Sequence, residues 1–320
     1  MTRVTVGGRL HFGFGNLSLA HERLYGSLGV ALAEPQLSVR VEPADSVQAS
    51  HCQSLVETVC ERLELPGAAV SVEQSLPPHV GLGSGTQLAL AVAAGIGAAY
   101  DQSVDVREVA PKLGRGGRSG IGVATFESGG FVLDSGHPTT RFTTDRPVDG
   151  TWSVPPVTAR HPIPDDWRFL IVLPAAEPGR SGQTEDDSIR GVIERADPGP
   201  ADRIAGLIVR DVLPAVATGN ADRFGSAVAE IGRLNGTWYA DEQGGVYRPP
   251  VGEIVETLAA EPAVYGAGQS SWGPAVYGIT DASNAAAARS AGVDALESVG
   301  LDGEVVLSAG RNRGAVVQLD

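Results

Sequence analysis

A glycine-rich stretch ahead of a long alanine- and leucine-rich segment constrains this chain more than any other feature. Residues 77–91 read PPHVGLGSGTQLALA, and four small residues separate a predicted strand from a predicted helix that starts near Thr86: Gly81, Gly83, Ser84 and Gly85. Glycine allows positive φ and leaves no side chain between a backbone amide and a ligand. A helix N-terminus adds free N–H groups and a positive dipole end. The pattern predicts a cradle for phosphate or another anion, or else a turn that only allows close packing.

The net charge of the chain limits the classes of molecule that it is expected to bind. It has 38 acidic and 24 basic residues, a net charge of −14, and Lys112 as its single lysine. This balance argues against general affinity for nucleic acid. No apolar run has transmembrane length and the N-terminus lacks the apolar core of a signal peptide, so we expect a cytoplasmic protein without a membrane partner. An acidic, lysine-poor composition fits a salt-rich cytoplasm; a GC-rich genome that prefers arginine codons explains it equally well.

The salt-rich interpretation makes a prediction about stability. Fourteen uncompensated negative charges repel one another at low ionic strength, and salt screens this repulsion. We expect the melting temperature to rise between low and molar KCl, as followed by circular dichroism. A flat or falling curve would favour the codon-usage explanation.

The order of predicted elements indicates an α+β fold with two domains. In the first half, strands are predicted at 3–6, 37–41 and 69–73, and helices at 51–63, 86–100 and 106–113. The segment 125–134 suggests two further strands that turn at Gly129–Gly130. A proline-rich segment near residues 154–164 marks the division into domains 1–160 and 161–320. The second half begins with the strand 168–173, followed by helices near 201–218, 221–234 and 251–260. A strand–loop–strand at 263–280, a helix at 284–291 and strands at 304–308 and 315–319 complete it.

Three further segments carry candidate chemistry. The first, RLHFGF, alternates polar and apolar residues and would place Arg9 and His11 on one face of a strand. The second, GRGGRSG, contains Arg115, Arg118 and Ser119 among glycines, and arginine binds phosphate through two parallel hydrogen bonds. A structural histidine and a solvated arginine loop are the alternatives.

Acidic residues follow the arginine-rich segment. Glu127 and Asp134 lie on the predicted hairpin, and either could hold Mg²⁺ or pair with the arginines. The remaining segment, YGAGQSSWGPAVYG from Tyr265 to Gly278, could close over a ligand with Gln269, Ser270 and Ser271 as donors, or could be a tight hairpin that buries Trp272.

Together these segments resemble the GHMP kinase superfamily, and within it the archaeal β-ribofuranosylaminobenzene 5′-phosphate synthases. The similar stretches are RLHFGF, GLGSGTQLALA, LGRGGRSGIGVATFESGGFVLDSG and GAGQSSWGPAVYG, and the resemblance spans residues 3–320. It implies an N-terminal α+β domain and a ferredoxin-like C-terminal domain. It also implies that phosphoribosyl pyrophosphate and 4-aminobenzoate, or 4-hydroxybenzoate, form a C-riboside with release of CO₂ and pyrophosphate, an early step of methanopterin-type pterin biosynthesis.

The resemblance also implies roles for the segments. Arg118, Ser119 and His11 are the candidate catalytic residues, and Mg²⁺ is the expected cofactor, with Ser84 and Glu127 as candidate ligands. The candidate binding residues for the phosphates and the aromatic acid are Arg9, Gly81, Gly83, Ser84, Gly85, Thr86, Arg115, Gly268, Ser270 and Ser271. A homodimer is expected.

Two other functions stay open at this stage. One is an ATP-dependent small-molecule kinase of the GHMP class, and the other is a nucleotide-binding protein without catalysis. GLGSG replaces the commoner GLGSS, and the chain shows no kinase-type lysine and aspartate pair, which disfavours phosphoryl transfer.

Overall fold

Two β-sheets organise the protein in the structure, a computed structural model that describes residues 1–141, 148–177 and 183–319. The strands are β1 (Thr2–Asn16), β2 (Arg23–Pro43), β3 (Gln48–Ala49), β4 (Ala68–Gln74), β5 (Phe131–Asp134), β6 (His137–Pro138), β7 (Val157–His161), β8 (Trp167–Pro174), β9 (Gly266–Gln269), β10 (Val276–Asp281), β11 (Gly303–Ala309) and β12 (Val316–Leu319).

Helices pack on both sheets. They are α1 (Gln53–Arg62), α2 (Ser84–Ala99), α3 (Val106–Lys112), α4 (Ile121–Ser128), α5 (Gln183–Arg195), α6 (Gly199–Leu207), α7 (Leu213–Thr218), α8 (Ala221–Gln243), α9 (Val251–Ala259) and α10 (Ala285–Ser298). A π-helical turn, Ile208–Val212, joins α6 to α7, and a 3₁₀ turn covers Thr139–Arg141.

The larger sheet has the central order β12-β1-β2-β4-β3, with β5 and β6 paired to β2 and β7 paired to β5. The helix α2 covers one face, where Leu90 and Ile96 are fully buried together with Val4 and Val39. Burial of such side chains contributes roughly 1.5–3 kcal/mol each. This packing fixes the N-terminus of α2 beside β1.

The smaller sheet has the order β11-β8-β10-β9, and each of its strand pairs is antiparallel. With helices inserted after β8 and β10, this is the β-α-β-β-α-β arrangement of a ferredoxin-like fold. Leu170 and Val172 of β8 pack against α9 and α10. The predicted α+β fold with a ferredoxin-like second half is therefore confirmed.

Two predictions of local structure need correction. The residues predicted as the first strand of a hairpin, from Thr125, belong to the helix α4; only β5 is a strand. Residues Ile121–Phe126 are all buried, so no alternation between polar and apolar residues marks the helix. The helix α5 was not predicted at all, and α8 extends nine residues beyond the predicted end at residue 234.

The position of β12 ties the end of the chain to its beginning. The strand pairs with β1, from Thr2 opposite Leu319 to Thr5 opposite Val316. The expected boundary at residues 160 and 161 lies between β7 and β8 and stays a prediction. No helix within the described ranges is long and apolar enough to cross a membrane.

Candidate active site

Two irregularities in β1 frame the first candidate segment. The register against β2 shifts between Gly7 and Arg9 and again between His11 and Gly13, so that Arg9 pairs with Ala31 and His11 with Gly29. Bulges of this kind redirect side chains and are common beside functional sites. Arg9 is half-buried and bonds the glycine-rich stretch directly. His11 is buried, and its backbone amide bonds Ser270, which in turn bonds that stretch.

The glycine-rich stretch adopts the conformation that its sequence predicts. Gly81 and Gly83 have φ of +100° and +79°, and Gly83 is the N-cap of α2. Arg9 reaches the stretch through a hydrogen bond from Nη1 to the Gly81 carbonyl. A Cβ on Gly83 would lie 3.0 Å from Cγ of Arg9. The first turn of α2, from Ser84 to Thr86, therefore starts directly beside the Arg9 guanidinium.

Ser270 joins the glycine-rich stretch to β1. Its hydroxyl donates to the Gly81 carbonyl at 2.8 Å and accepts from the His11 amide at 3.1 Å. A Cβ on Gly81 would lie 2.2 Å from the Ser270 carbonyl oxygen, so only glycine fits there. Ser271 follows with φ of +57°. Gly268 has a different place: it lies in β9, where a Cβ would be 2.5 Å from the Tyr277 hydroxyl.

The arginine-rich segment reaches the same helix end. A Cβ on Gly85 would lie 3.2 Å from Nη1 of Arg115, which places this guanidinium over the first turn of α2. Thr86 contacts the start of α4, since a Cβ on Gly122 would lie 3.0 Å from the Thr86 methyl group. The N-termini of α2 and α4 and the guanidinium groups of Arg9 and Arg115 thus lie close together, an arrangement that attracts anions.

Asp134 holds the arginine-rich segment in place. Its carboxyl group accepts from the amides of Ser27, Gly120 and Gly136 and from the Ser27 hydroxyl, at 2.6–3.1 Å. Burial raises its pKa, and these hydrogen bonds oppose that change. The hydroxyl of Ser119 bonds that of Ser27 at 2.6 Å and accepts at 3.3 Å from the amide of Ile121, the first residue of α4.

Arg118 lies near a residue with an unusual backbone. Burial raises the pKa of Tyr25, and the positive charge of Arg118 acts in the opposite direction. Tyr25 has φ of +69°, which is costly for an aromatic residue, and its ring packs against Phe14 at 5.4 Å between centroids. Tyr25 therefore connects the arginine-rich segment with β1.

Glu127 lies away from this group. It is the next-to-last residue of α4, whereas the arginine-rich segment adjoins the first, and its carboxylate pairs with Arg107 at 2.9 Å. In the described part of the chain, no cluster of three or more histidine, cysteine, aspartate or glutamate side chains is arranged to hold a metal ion.

An open cavity adjoins the same part of β1. It is lined by residues 11–14 of β1, by Val246 and Tyr247, by residues around Trp272, and by one face of α8: Gly232, Asn235, Gly236, Tyr239 and Gln243. His11 and Ser271 belong both to this lining and to the predicted site.

Sequence reasoning missed Asn235, which fixes the cavity wall. Its side chain accepts from the Phe14 amide at 2.7 Å and donates to the Phe14 carbonyl at 2.9 Å. Its only signal in the sequence is the pair Asn235–Gly236, two poor helix formers that directly follow the predicted end of this helix at residue 234. Its partner, Phe14, is 221 residues away in the sequence, and no local sequence pattern reveals a contact over that separation.

His11 is neutral at physiological pH. Burial, and next the nearby charge of Arg9, lower its pKa from 6.5 to about 3. A neutral imidazole donates through one nitrogen and accepts through the other. His11 can therefore orient a ligand, but it does not supply a positive charge.

This shift predicts a dependence of stability on pH. Because the unfolded chain takes up the proton near pH 6.5 and the folded protein near pH 3, the free energy of unfolding falls as the pH falls through this window. Between pH 7 and pH 5 this one group should cost about 2 kcal/mol. Urea unfolding at both pH values should show a smaller loss for His11→Gln than for the wild type. An unchanged loss in His11→Gln would contradict the shift; the exposed His51→Gln serves as control.

Comparison with known protein families finds a match within each half of the chain. The family described as GHMP kinases N terminal domain matches residues 50–130, and the GHMP kinases C terminal family matches residues 212–297. The solved phosphomevalonate kinase of Streptococcus pneumoniae superposes with a TM-score of 0.68 and 14% identity, covering 97% of this chain and 99% of that one. Mevalonate kinase of Leishmania major gives 0.67 and 16%, covering 97% and 96%. These similarities establish the fold.

Relatives with higher identity share the whole length. A protein of Methanothermobacter thermautotrophicus named β-ribofuranosylphenol 5′-phosphate synthase is 32% identical over 324 residues, covering 96% of this chain and 95% of the relative. A protein of Archaeoglobus fulgidus with the same name is 30% identical over the full length of both. The chain therefore belongs to the β-ribofuranosylphenol 5′-phosphate synthase family of the GHMP kinase superfamily.

Proposed function

We propose that this protein is a decarboxylating pentosyltransferase that joins phosphoribosyl pyrophosphate to the ring of an aromatic acid, with release of CO₂ and pyrophosphate. The observation that carries the proposal is the similarity over 96% of the chain to a relative named as such a synthase. The contacts of the glycine-rich stretch with Arg9 and Arg115 support it, because the donor carries three phosphate groups.

The relatives' name bears on the acceptor. It denotes a phenol that carries the ribose phosphate, and loss of CO₂ from 4-hydroxybenzoate leaves a phenol, whereas loss from 4-aminobenzoate leaves an aniline. We therefore propose 4-hydroxybenzoate as the acceptor in preference to 4-aminobenzoate.

The chemistry requires positioning more than proton transfer. Departure of pyrophosphate leaves an oxocarbenium-like carbon, which the ring carbon bearing the carboxylate attacks. The bond to CO₂ then breaks and its electron pair restores the aromatic ring, so no general base is required. Alignment of the two reactants and stabilisation of the leaving pyrophosphate supply most of the rate.

The phosphate groups would bind where α2 begins. Amides of the first turn of α2 and the guanidinium groups of Arg9 and Arg115 surround this point. Arg118, on the side of Tyr25, would hold a second anionic group, either the 5′-phosphate or the carboxylate of the acid.

Magnesium would enter this site on the pyrophosphate. Mg²⁺ is usually held by one or two carboxylates together with substrate phosphates, and keeps several waters. Ser84 at the start of α2 offers a hydroxyl ligand, whereas Glu127 is paired with Arg107 at the other end of α4. When bound, the ion neutralises charge on the leaving group. We propose Ser84 and not Glu127 as the contact.

The test is product formation by the purified wild-type protein. With phosphoribosyl pyrophosphate, Mg²⁺ and 4-hydroxybenzoate, mass spectrometry should detect the riboside phosphate of phenol, with higher kcat/KM than for 4-aminobenzoate. ADP formed from ATP and a hydroxylated acceptor would instead identify a kinase, and binding without turnover would identify a non-catalytic protein. Cytoplasmic location, salt adaptation and a homodimer stay predictions.

A further inference from the structure

We propose that the cavity between β1 and α8 is the binding site of the aromatic acid, and that it holds the ring with its carboxylate end toward Arg9. This assignment rests on the proposed function, because it concerns the acceptor of that reaction. It names a set of specificity-determining residues on α8 and in the following loop, none of which the sequence motifs include.

The walls of the cavity suit a flat ring. Tyr239 and Trp272 meet edge to face at 4.5 Å between centroids, and His11 meets Phe14 in the same way at 4.9 Å. Such pairs form rigid apolar walls that favour another aromatic ring over an aliphatic acid of equal size. The bond between Asn235 and Phe14 prevents the wall from collapsing inward.

One end of the cavity adjoins the phosphate-binding segments. His11 lines the cavity, its backbone amide bonds the Ser270 hydroxyl, and that hydroxyl bonds the Gly81 carbonyl. The charge of Arg9 acts directly on His11. Because the new bond forms at the carbon that bears the carboxylate, this end of the ring must face the ribose. The carboxylate therefore lies at the Arg9 end.

The other end is set by the length of α8. From Gly232 to Gln243 the lining face runs eleven residues, roughly 16 Å along the helix axis. The Gln243 amide nitrogen donates to the Val246 carbonyl at 2.8 Å, and its carbonyl oxygen is an acceptor. A benzoate with a para substituent is shorter than this face, so this end limits the length of the acid and does not select its para substituent.

Two variants test the assignment from opposite directions. Gly232→Ala adds a methyl group at a position that lines the cavity, 3.3 Å from the hydroxyl of the buried Tyr277 and 3.9 Å from the Phe12 carbonyl oxygen, and alanine favours the helix. We expect the KM and the calorimetric Kd for 4-hydroxybenzoate to rise roughly fivefold or more, with the KM for phosphoribosyl pyrophosphate unchanged. Tyr247→Ala widens the cavity and should admit 6-hydroxy-2-naphthoate while weakening 4-hydroxybenzoate roughly 3- to 10-fold.

The control is Gly191→Ala in α5, where the nearest atom to a new Cβ is 3.5 Å away and belongs to a surface side chain. If the wild-type protein turns over and both cavity variants bind 4-hydroxybenzoate as the wild type does, the cavity assignment is wrong and the proposed function still holds. If both variants weaken 4-hydroxybenzoate binding but the wild-type protein shows no turnover, the cavity assignment is supported and the proposed function is refuted. If Gly232→Ala does not fold, Tyr247→Ala decides alone.

Discussion

Replacing Arg118 by lysine is expected to lower kcat/KM about 30- to 1,000-fold, which corresponds to the loss of roughly 2–4 kcal/mol from one charge-assisted contact. Lysine keeps the charge but lacks the planar fork that binds two oxygens of a phosphate or carboxylate. Arg118 lies in the segment that Asp134 anchors, close enough to Tyr25 to affect its pKa. Steady-state kinetics with both substrates would measure the effect.

Stability provides the control for this variant. Lysine keeps the positive charge and an aliphatic stem of similar length, so the melting temperature of Arg118→Lys should stay near that of the wild type. The exposed Arg62 at the end of α1 offers a matched substitution, Arg62→Lys, which should change neither property. Near wild-type turnover in Arg118→Lys would show that Arg115 or Arg9 holds the anion.

Replacing Gly83 by valine is expected to weaken phosphoribosyl pyrophosphate roughly 10- to 150-fold, as measured by calorimetry. The new side chain would lie 3.0 Å from Cγ and 3.2 Å from Nε of Arg9, at the N-cap of α2 where backbone amides must approach phosphate oxygens. Displacing Arg9 would also weaken its bond to the Gly81 carbonyl.

Backbone strain in this variant needs a separate control, because Gly83 has φ of +79°. Gly300 has φ of +65° and no atom within 4 Å of a new Cβ. Gly300→Val should therefore show a similar loss of stability, of the order of 1–3 kcal/mol, with unchanged ligand binding. Wild-type affinity in a folded Gly83→Val protein would exclude the glycine-rich stretch as the phosphate site.

The part of the site that the sequence predicted is the part built from local rules. Glycines at positive φ directly before an alanine-rich helix identify the start of α2, because few other residues adopt that backbone. The order of strands and helices likewise predicted the α+β fold. In contrast, the second half of α4, from Thr125, was predicted as a strand, and the buried residues 121–126 show no helical periodicity that would have corrected this.

The cavity could not be predicted because it forms between distant segments. The five α8 residues that line it recur at helical spacing, but such a stripe is equally typical of core packing. Asn235 bonds Phe14 across 221 residues of sequence. The low pKa of His11 likewise depends on burial by segments that lie far apart in the sequence. The sequence therefore predicted the glycine-rich and arginine-rich segments that the structure brings together, whereas the cavity is visible only in the structure.

The most direct test of the central claim is the stoichiometry of the reaction with 4-hydroxybenzoate labelled with ¹³C in its carboxyl group. In the presence of phosphoribosyl pyrophosphate and Mg²⁺, the wild-type protein should release labelled CO₂, pyrophosphate and the phenol riboside phosphate in equal amounts, and Gly83→Val should release far less of all three. Pyrophosphate without labelled CO₂, or a riboside that retains the label, would contradict the account.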